Sequence, residues 1–423
     1  MVYLWVASLS TLMAVLWHMR WPVADRWSDK LIDFSGYDFA KLRKAAENPI
    51  WIDTEEQLAH YCQQWLEVPL ITLDTEFIRT STFYAKPGLI QVADQHSCYL
   101  IDPLPIKRWR PFRELLEAPQ VLKVLHACGE DVELFKHRYK AAPSPMFDTQ
   151  VAAAFCGWGF SMGLQRLVKH ALDIDLDKGE TKSDWLQRPL TDNQTLYAAL
   201  DVCYLAEIAQ MQFKELEKLD RTAWVNEECE ELVASVIANE ANVDDYYRRF
   251  SQLWNIPTRQ LAALRDLTIW RERTSRLRDK ARNRILSNHQ IIDVIQQWPN
   301  KRDDLRKIEG LRSGNVWDFG NDIIRCLKNA DKSAQENPPE PIEQPLKFKF
   351  HAHLKALRAV GVKAAEQHSV APELMLRKRD IEALIRTGVE TGHYELPASL
   401  CGWRKPLIGQ ALLDQLAELN ESN

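Results

Sequence analysis

Residues 68–73, VPLITL, are β-branched and aliphatic apart from one proline, the make-up of a buried strand. The run does not stop at a turn but continues as Asp74-Thr75-Glu76-Phe77. Residues two apart on a strand share a face. Asp74 and Glu76 therefore project side by side where the strand leaves the core. Two neighbouring carboxylates repel and raise each other's pKa. A divalent cation with oxygen ligands removes that conflict. A solvated strand end with two surface acids satisfies a bare Asp-x-Glu equally well, so the rest of the chain has to decide.

Around this strand the patterning alternates. Residues 88–93 (GLIQVA) and 98–101 (CYLI) read as strands joined by the turn-like 94–97, a hairpin. Residues 121–127 form another strand, and 112–118 and 130–138 are helical. From Asp148 onward the pattern is helical, over 149–156, 162–172 and 193–219. Strands early and helices later predict an α/β or α+β domain over residues 49–222. Residues 223–330 are helical and charged and make a first small all-α domain. Within it, 271–284 (RERTSRLRDKARNR) carries seven basic residues and two acidic ones, a candidate RNA-facing surface. Residues 331–345 are rich in proline and acid and predict a linker. A second helical block, 346–423, closes the chain.

The 423 residues carry a net charge of −5, so contact with a polyanion has to come from local basic patches rather than a global field. The eight cysteines contain no Cys-x-x-Cys pair, which argues against a zinc site or a disulfide framework and suits a reducing cytoplasm. Residues 1–48 form an extension whose segment 2–17 is apolar. It reads as a short membrane anchor, a peripheral segment giving weak membrane contact, or a start placed upstream of Met19.

Two further acid sites stand out. In LHACGED (125–131) a strand gives way to a helix with Glu130 and Asp131 in its first turn. In YAALD (197–201) Tyr197 and Asp201 lie four apart on one helix face. Each alone is also what an ordinary helix carries. Together, four carboxylates and a phenol form the inventory for two Mg²⁺ or Mn²⁺ ions, which stabilise the attacking and leaving oxygens of an in-line phosphoryl displacement.

LDTEF, HACGED and YAALDVCYL, in this order, resemble the three motifs of the DEDD exonuclease superfamily. The Tyr-x-x-x-Asp spacing matches its tyrosine branch. The longer stretches LDTEFIRTSTFYAKPGLIQVAD, FDTQVAAAFCG and SDWLQRPLTDNQTLYAALDVCYL resemble bacterial ribonuclease D, from about Pro49 to the C-terminus. The resemblance implies an RNase H-like fold followed by two HRDC-like helical domains. It also implies 3′→5′ exoribonuclease activity on tRNA precursors and other small structured RNAs, releasing 5′-mononucleotides. Asp74, Glu76, Asp131 and Asp201 would bind two divalent metal ions, and Tyr197 would orient the attacking water. Glu130 rivals Asp131, and motif alignment favours Asp131. Phe77 is a candidate for stacking on the terminal base. Arg79, Lys178 and Lys182 are candidates for phosphate contacts, and His126 reads as a satisfied strand-end histidine. The expected partner is RNA, with no obligate protein partner and a monomeric chain. A DNA exonuclease and a non-catalytic RNA-binding protein are the competing readings.

Overall fold

The computed structural model describes residues 32–176, 179–180 and 183–421. The apolar segment 2–17, Lys178 and Lys182 lie outside them. Six strands make one mixed sheet: β1 (Ile50–Ile52), β2 (Leu70–Ile78), β3 (Lys86–Ala93), β4 (Cys98–Ile101), β5 (Leu122–Leu125) and β6 (Met146–Asp148), in the order β1-β4-β3-β2-β5-β6. The expected hairpin is there, β3 antiparallel to β4. β2 pairs antiparallel with β3 and parallel with β5. Leu70 to Leu73 are all buried, as an interior strand covered on both faces demands. The three-residue strands β1 and β6 carry no legible alternation and escape a sequence reading.

Nine helices pack around this sheet among the described residues: α1 (Phe39–Ala45), α2 (Glu55–Trp65), α3 (Arg110–Leu116), α4 (Gly129–Leu134), α5 (Thr149–Phe155), α6 (Leu164–Leu172), α7 (Asp192–Cys203), α8 (Leu205–Lys218) and α9 (Thr222–Ala241). The last of these shifts the expected boundary at 222. Val225, Asn226 and Cys229 of α9 are buried, and the Asp148 backbone N–H donates to Cys229 Sγ at 3.4 Å. The sheet domain therefore keeps its packing well beyond 222, as far as Val236.

The first helical domain comprises α10 (Thr258–Leu277), α11 (Arg282–Ile285), α12 (Asn288–Gln297), α13 (Ser313–Lys328) and α14 (Ala330–Glu336). It has a core of its own, with Leu264, Leu267, Ile291 and Ile323 fully buried. α14 lies inside the stretch expected to be linker. The Arg265 guanidinium explains why: it donates to Ser333 Oγ at 2.7 Å and to the Asn337 carbonyl at 2.6 Å. Beyond it, Ile342 is buried and the Tyr247 hydroxyl donates to the Glu340 carbonyl at 2.8 Å. The proline-rich stretch is thus strapped to the first helical domain.

The second block contains α15 (His351–Gln367), α16 (Pro372–Met375), α17 (Lys378–Thr387) and α18 (Gln410–Glu421). α15 to α17 repeat α10 to α12 at a constant offset: Leu277 to Gln367, Arg282 to Pro372, Ile285 to Met375, Gln297 to Thr387. Ala281/Ala371, Leu286/Leu376, Ile291/Ile381 and Ile295/Ile385 are identical pairs in that register. The corner residues Asp279 and Ser369 both take a left-handed backbone, with φ of 44° and 48°. Unlike its counterpart, this block shares the sheet domain's core. Trp403 stacks on Trp224 with centroids 5.0 Å apart and meets Phe155 edge-on at 5.2 Å. Arg404 Nη1 donates to Glu228 at 2.5 Å.

Candidate active site

β2 carries Asp74 and Glu76 to the edge of a cavity of about 230 Å³, lined also by Thr75, His126, Leu164, Tyr197, Asp201 and Leu205. α7 supplies Tyr197 and Asp201. Its start is set by a capping box between Thr191 and Gln194, which fixes the helix phase and puts both side chains on one face. Oxygen atoms of Asp74, Glu76 and Asp201 all lie within 4.8 Å of one another. The expected neighbours are thus brought together from two separate elements.

Asp131, in the first turn of α4, is 7% exposed, whereas Glu130 is turned to solvent. The burial difference favours Asp131. Its carboxylate accepts a hydrogen bond from the Thr75 hydroxyl, and its charge acts on Asp74 and Glu76. Asp148, buried at the end of β6, holds the turn that launches α4. Its two oxygens accept from the Ala127 and Cys128 N–H groups, each at 3.0 Å, while Oδ1 also caps α5 through Gln150 N–H at 2.8 Å. Neither Thr75 nor Asp148 figured among the expected site residues. For Asp148 the signal was present: an acid directly before a helix reads as an N-cap.

The electrostatics are those of crowded, desolvated acid. Burial, then the charges of Asp131, Asp201 and Glu76, push the Asp74 carboxyl well above its usual range. Burial and the charges of Asp201 and Asp131 raise Glu76 to about 8. Burial raises Asp201 to about 7, against a hydrogen bond from Tyr197 that works the other way. Asp131 rises to about 6 through burial, opposed by the Thr75 bond. Burial first, then the neighbouring carboxylates, keep the Tyr197 phenol protonated. The donor set is all oxygen, and among the described residues the lining contains no Lys or Arg. Hard divalent cations suit such a set, and they would supply the positive charge these acids lack.

The remaining candidates fare differently. Phe77 packs against the main core. Arg79 is engaged: it pairs with Glu133 through both terminal nitrogens, at 3.0 and 2.9 Å, and its Nε donates to the Phe83 carbonyl at 3.0 Å. His126 lines the cavity with Nδ1 held 2.9 Å from Thr149 Oγ1, and burial lowers its pKa. Part of the basic run turns inward. Arg271 is fully buried, bonded to the Leu286 carbonyl and Asn288 Oδ1 at 2.9 and 2.8 Å. Arg282 pairs with the buried Glu272. Arg273, Arg278, Lys280 and Arg284 remain exposed.

Residues 49–217 match the family model for 3′-5′ exonucleases, and residues 260–327 match that for the HRDC domain. The class is a 3′-5′ exonuclease followed by an HRDC domain. Ribonuclease D of Pseudomonas paraeruginosa is 44% identical over 366 residues, covering 86% of this chain and 97% of the relative. The Escherichia coli enzyme is 33% identical over 371 residues, covering 87% and 98%. The crystal structure of Escherichia coli RNase D, an exoribonuclease involved in structured RNA processing, superimposes with a TM-score of 0.80 over 88% of this chain and 99% of that one. The chain belongs to the ribonuclease D family and is a 3′-5′ exoribonuclease. Among the described residues no helix is long and apolar enough to cross a membrane.

Proposed function

We propose that the enzyme trims 3′ extensions from tRNA precursors and other small structured RNAs, one 5′-mononucleotide at a time. Asp74, Glu76, Asp131 and Asp201 hold two divalent cations, Mg²⁺ or Mn²⁺. Bound there, the cations supply charge stabilisation for the attacking and departing oxygens. The chain's own part is to fix geometry. Tyr197, one helical turn before Asp201, directs its hydroxyl at the attacking water. Thr75 and Asp148 hold Asp131 and its helix in place. The observation that carries this reading is the convergence of three carboxylates within 4.8 Å beside a protonated phenol.

Residues 346–423 serve as a second HRDC-like domain, a reading supported by the repeat of α10–α12 in α15–α17. The chain works as a monomer in the cytoplasm, and its eight free cysteines suit a reducing compartment. The deciding experiment is digestion of a 3′-extended tRNA beside a matched DNA oligonucleotide, with and without EDTA. The expected result is RNA shortened stepwise to mononucleotides, slower cleavage of DNA and no products in EDTA. Equal rates on DNA, or products that resist EDTA, would sink the proposal.

A further inference from the structure

The loop between β2 and β3 is gripped from outside the catalytic domain. Asp279, at the corner between α10 and α11, accepts hydrogen bonds at one carboxylate oxygen from the Phe83 and Tyr84 N–H groups, each at 3.0 Å. The Ala281 N–H donates to the Ser81 carbonyl at 3.0 Å. The Arg276 and Arg282 guanidiniums lie 5.3 and 4.6 Å from the Phe83 ring centroid, and that ring is buried. Asp279 takes a left-handed backbone at φ 44°, a region that residues with a Cβ rarely occupy. The corner thus holds an unfavourable backbone while it makes these bonds.

The far side of the loop leads to the metal-ligand candidates. Its first residues follow Ile78 of β2, two residues beyond Glu76. The β2–β3 register slips between Glu76 and Phe77. Glu76 therefore sits at the irregularity, and only two further pairs, Phe77 with Pro87 and Ile78 with Lys86, separate it from the loop. Arg79 ties that loop to Glu133 on α4, two residues after Asp131. Tyr84 stacks flat on His137, with ring centroids 3.3 Å apart, just beyond α4. One carboxylate of the first helical domain therefore caps a loop that joins the strand of Asp74 and Glu76 to the helix of Asp131.

We infer that Asp279 is a positioning residue for hydrolysis: the first helical domain sets the geometry of the catalytic carboxylates as well as meeting RNA. The repeat sharpens the point. The corresponding corner of the second block offers Ser369, whose side chain has no carboxylate. That corner contacts the catalytic domain elsewhere, with the His368 carbonyl accepting from Arg221. The same corner grips the catalytic domain in both repeats, and only the first copy reaches the loop beside the site. The inference rests on the exonuclease reading of that site.

The test uses the full-length chain carrying Asp279→Ala or Asp279→Asn. Single-turnover cleavage of a short single-stranded oligoribonucleotide is measured across a Mg²⁺ titration. RNA affinity is measured separately in EDTA. Asp279→Ala should lower the saturating rate by about 10- to 100-fold, the scale on which small misplacements act, and raise the Mg²⁺ midpoint. RNA affinity and its salt slope should stay at the wild-type values. Asp279→Asn keeps an acceptor oxygen in place and should recover most of the rate. A folded Asp279→Ala enzyme with a wild-type rate and midpoint overturns the inference. So does a loss carried by affinity, which would make Asp279 part of an RNA contact. If Asp279→Ala does not fold, Asp279→Asn decides alone, and a rate as low as that of a catalytic-acid variant overturns it. An inactive wild-type enzyme would instead strike at the exonuclease reading, so the two failures are separable.

Discussion

The two helical domains share a three-helix repeat and stand in opposite relations to the catalytic unit. The first keeps Leu264, Leu267 and Ile291 in a core of its own and reaches the catalytic domain beside the site through a polar corner. The second gives Leu357, Leu384 and Trp403 to the catalytic domain's core. Polar contacts at an edge can loosen without exposing a core, and a shared aromatic stack cannot. The first copy is thus placed to influence geometry, and the second to sustain the fold.

The largest expected effect lies in neither copy and calibrates both. Tyr197→Phe deletes only a hydroxyl, and single-turnover cleavage should fall by about 10²- to 10⁴-fold. The Mg²⁺ midpoint and RNA affinity should hold. A shifted midpoint with an unchanged saturating rate would place the phenol among the metal ligands. Trp403→Ala comes next and probes the shared core. It should cost about 3–5 kcal/mol, read from denaturant melts of the catalytic unit. A catalytic transition that does not move would break the contrast between the copies. Leu264→Ala removes a fully buried side chain from the first domain, at a cost of about 2–5 kcal/mol. That loss should appear as a separate early transition, with cleavage of short oligonucleotides no worse than in Asp279→Ala. A single merged transition would mean that the first copy is as integral as the second.

The last test concerns pH. The carboxyls of Asp131, Asp201 and Glu76 are raised in the folded state to about 6, 7 and 8, above their usual value of about 4 in unfolded chains. Their stabilising contribution is complete below pH of about 4. It is lost as pH climbs through those raised values. In EDTA the catalytic transition should therefore weaken progressively from about pH 4 and level off by about pH 8, and Mg²⁺ should restore it. Melts that are flat with pH in EDTA, for wild type and Asp74→Asn alike, would show that the acids are not crowded as described.

How much of this was legible beforehand depends on whether a feature is local. The paired acids of β2 follow from strand periodicity, and the Tyr197–Asp201 face from helix periodicity. The β3–β4 hairpin follows from its turn. Four features depended on distant partners and were not legible. β1 and β6 are three residues each and exist because β4 and β5 offer edges to them. Residues 330–336 look like linker and are helical because Arg265 holds them. Among the seven cations of 271–284, nothing local distinguishes the buried Arg271 from the exposed Arg273. The same holds for α9, whose charged composition suggested the first helical domain, while Val225 and Cys229 bind it to the sheet. A chain cut after Leu219 would lose that helix and uncover the core.

The path of the chain has a consequence for its synthesis. It leaves the shared core at the end of α9, builds the first helical domain with its own interior, and re-enters the shared core at Phe350. Topologically, the first helical domain is an insertion within the larger unit. A ribosome making this protein completes the insertion while Phe155 and Trp224 still wait for Trp403. At about 5–20 residues per second the wait is roughly ten to thirty seconds. Through that interval the nascent chain presents an uncovered aromatic face, and the independent interior of the insertion lets it fold without competing for that face.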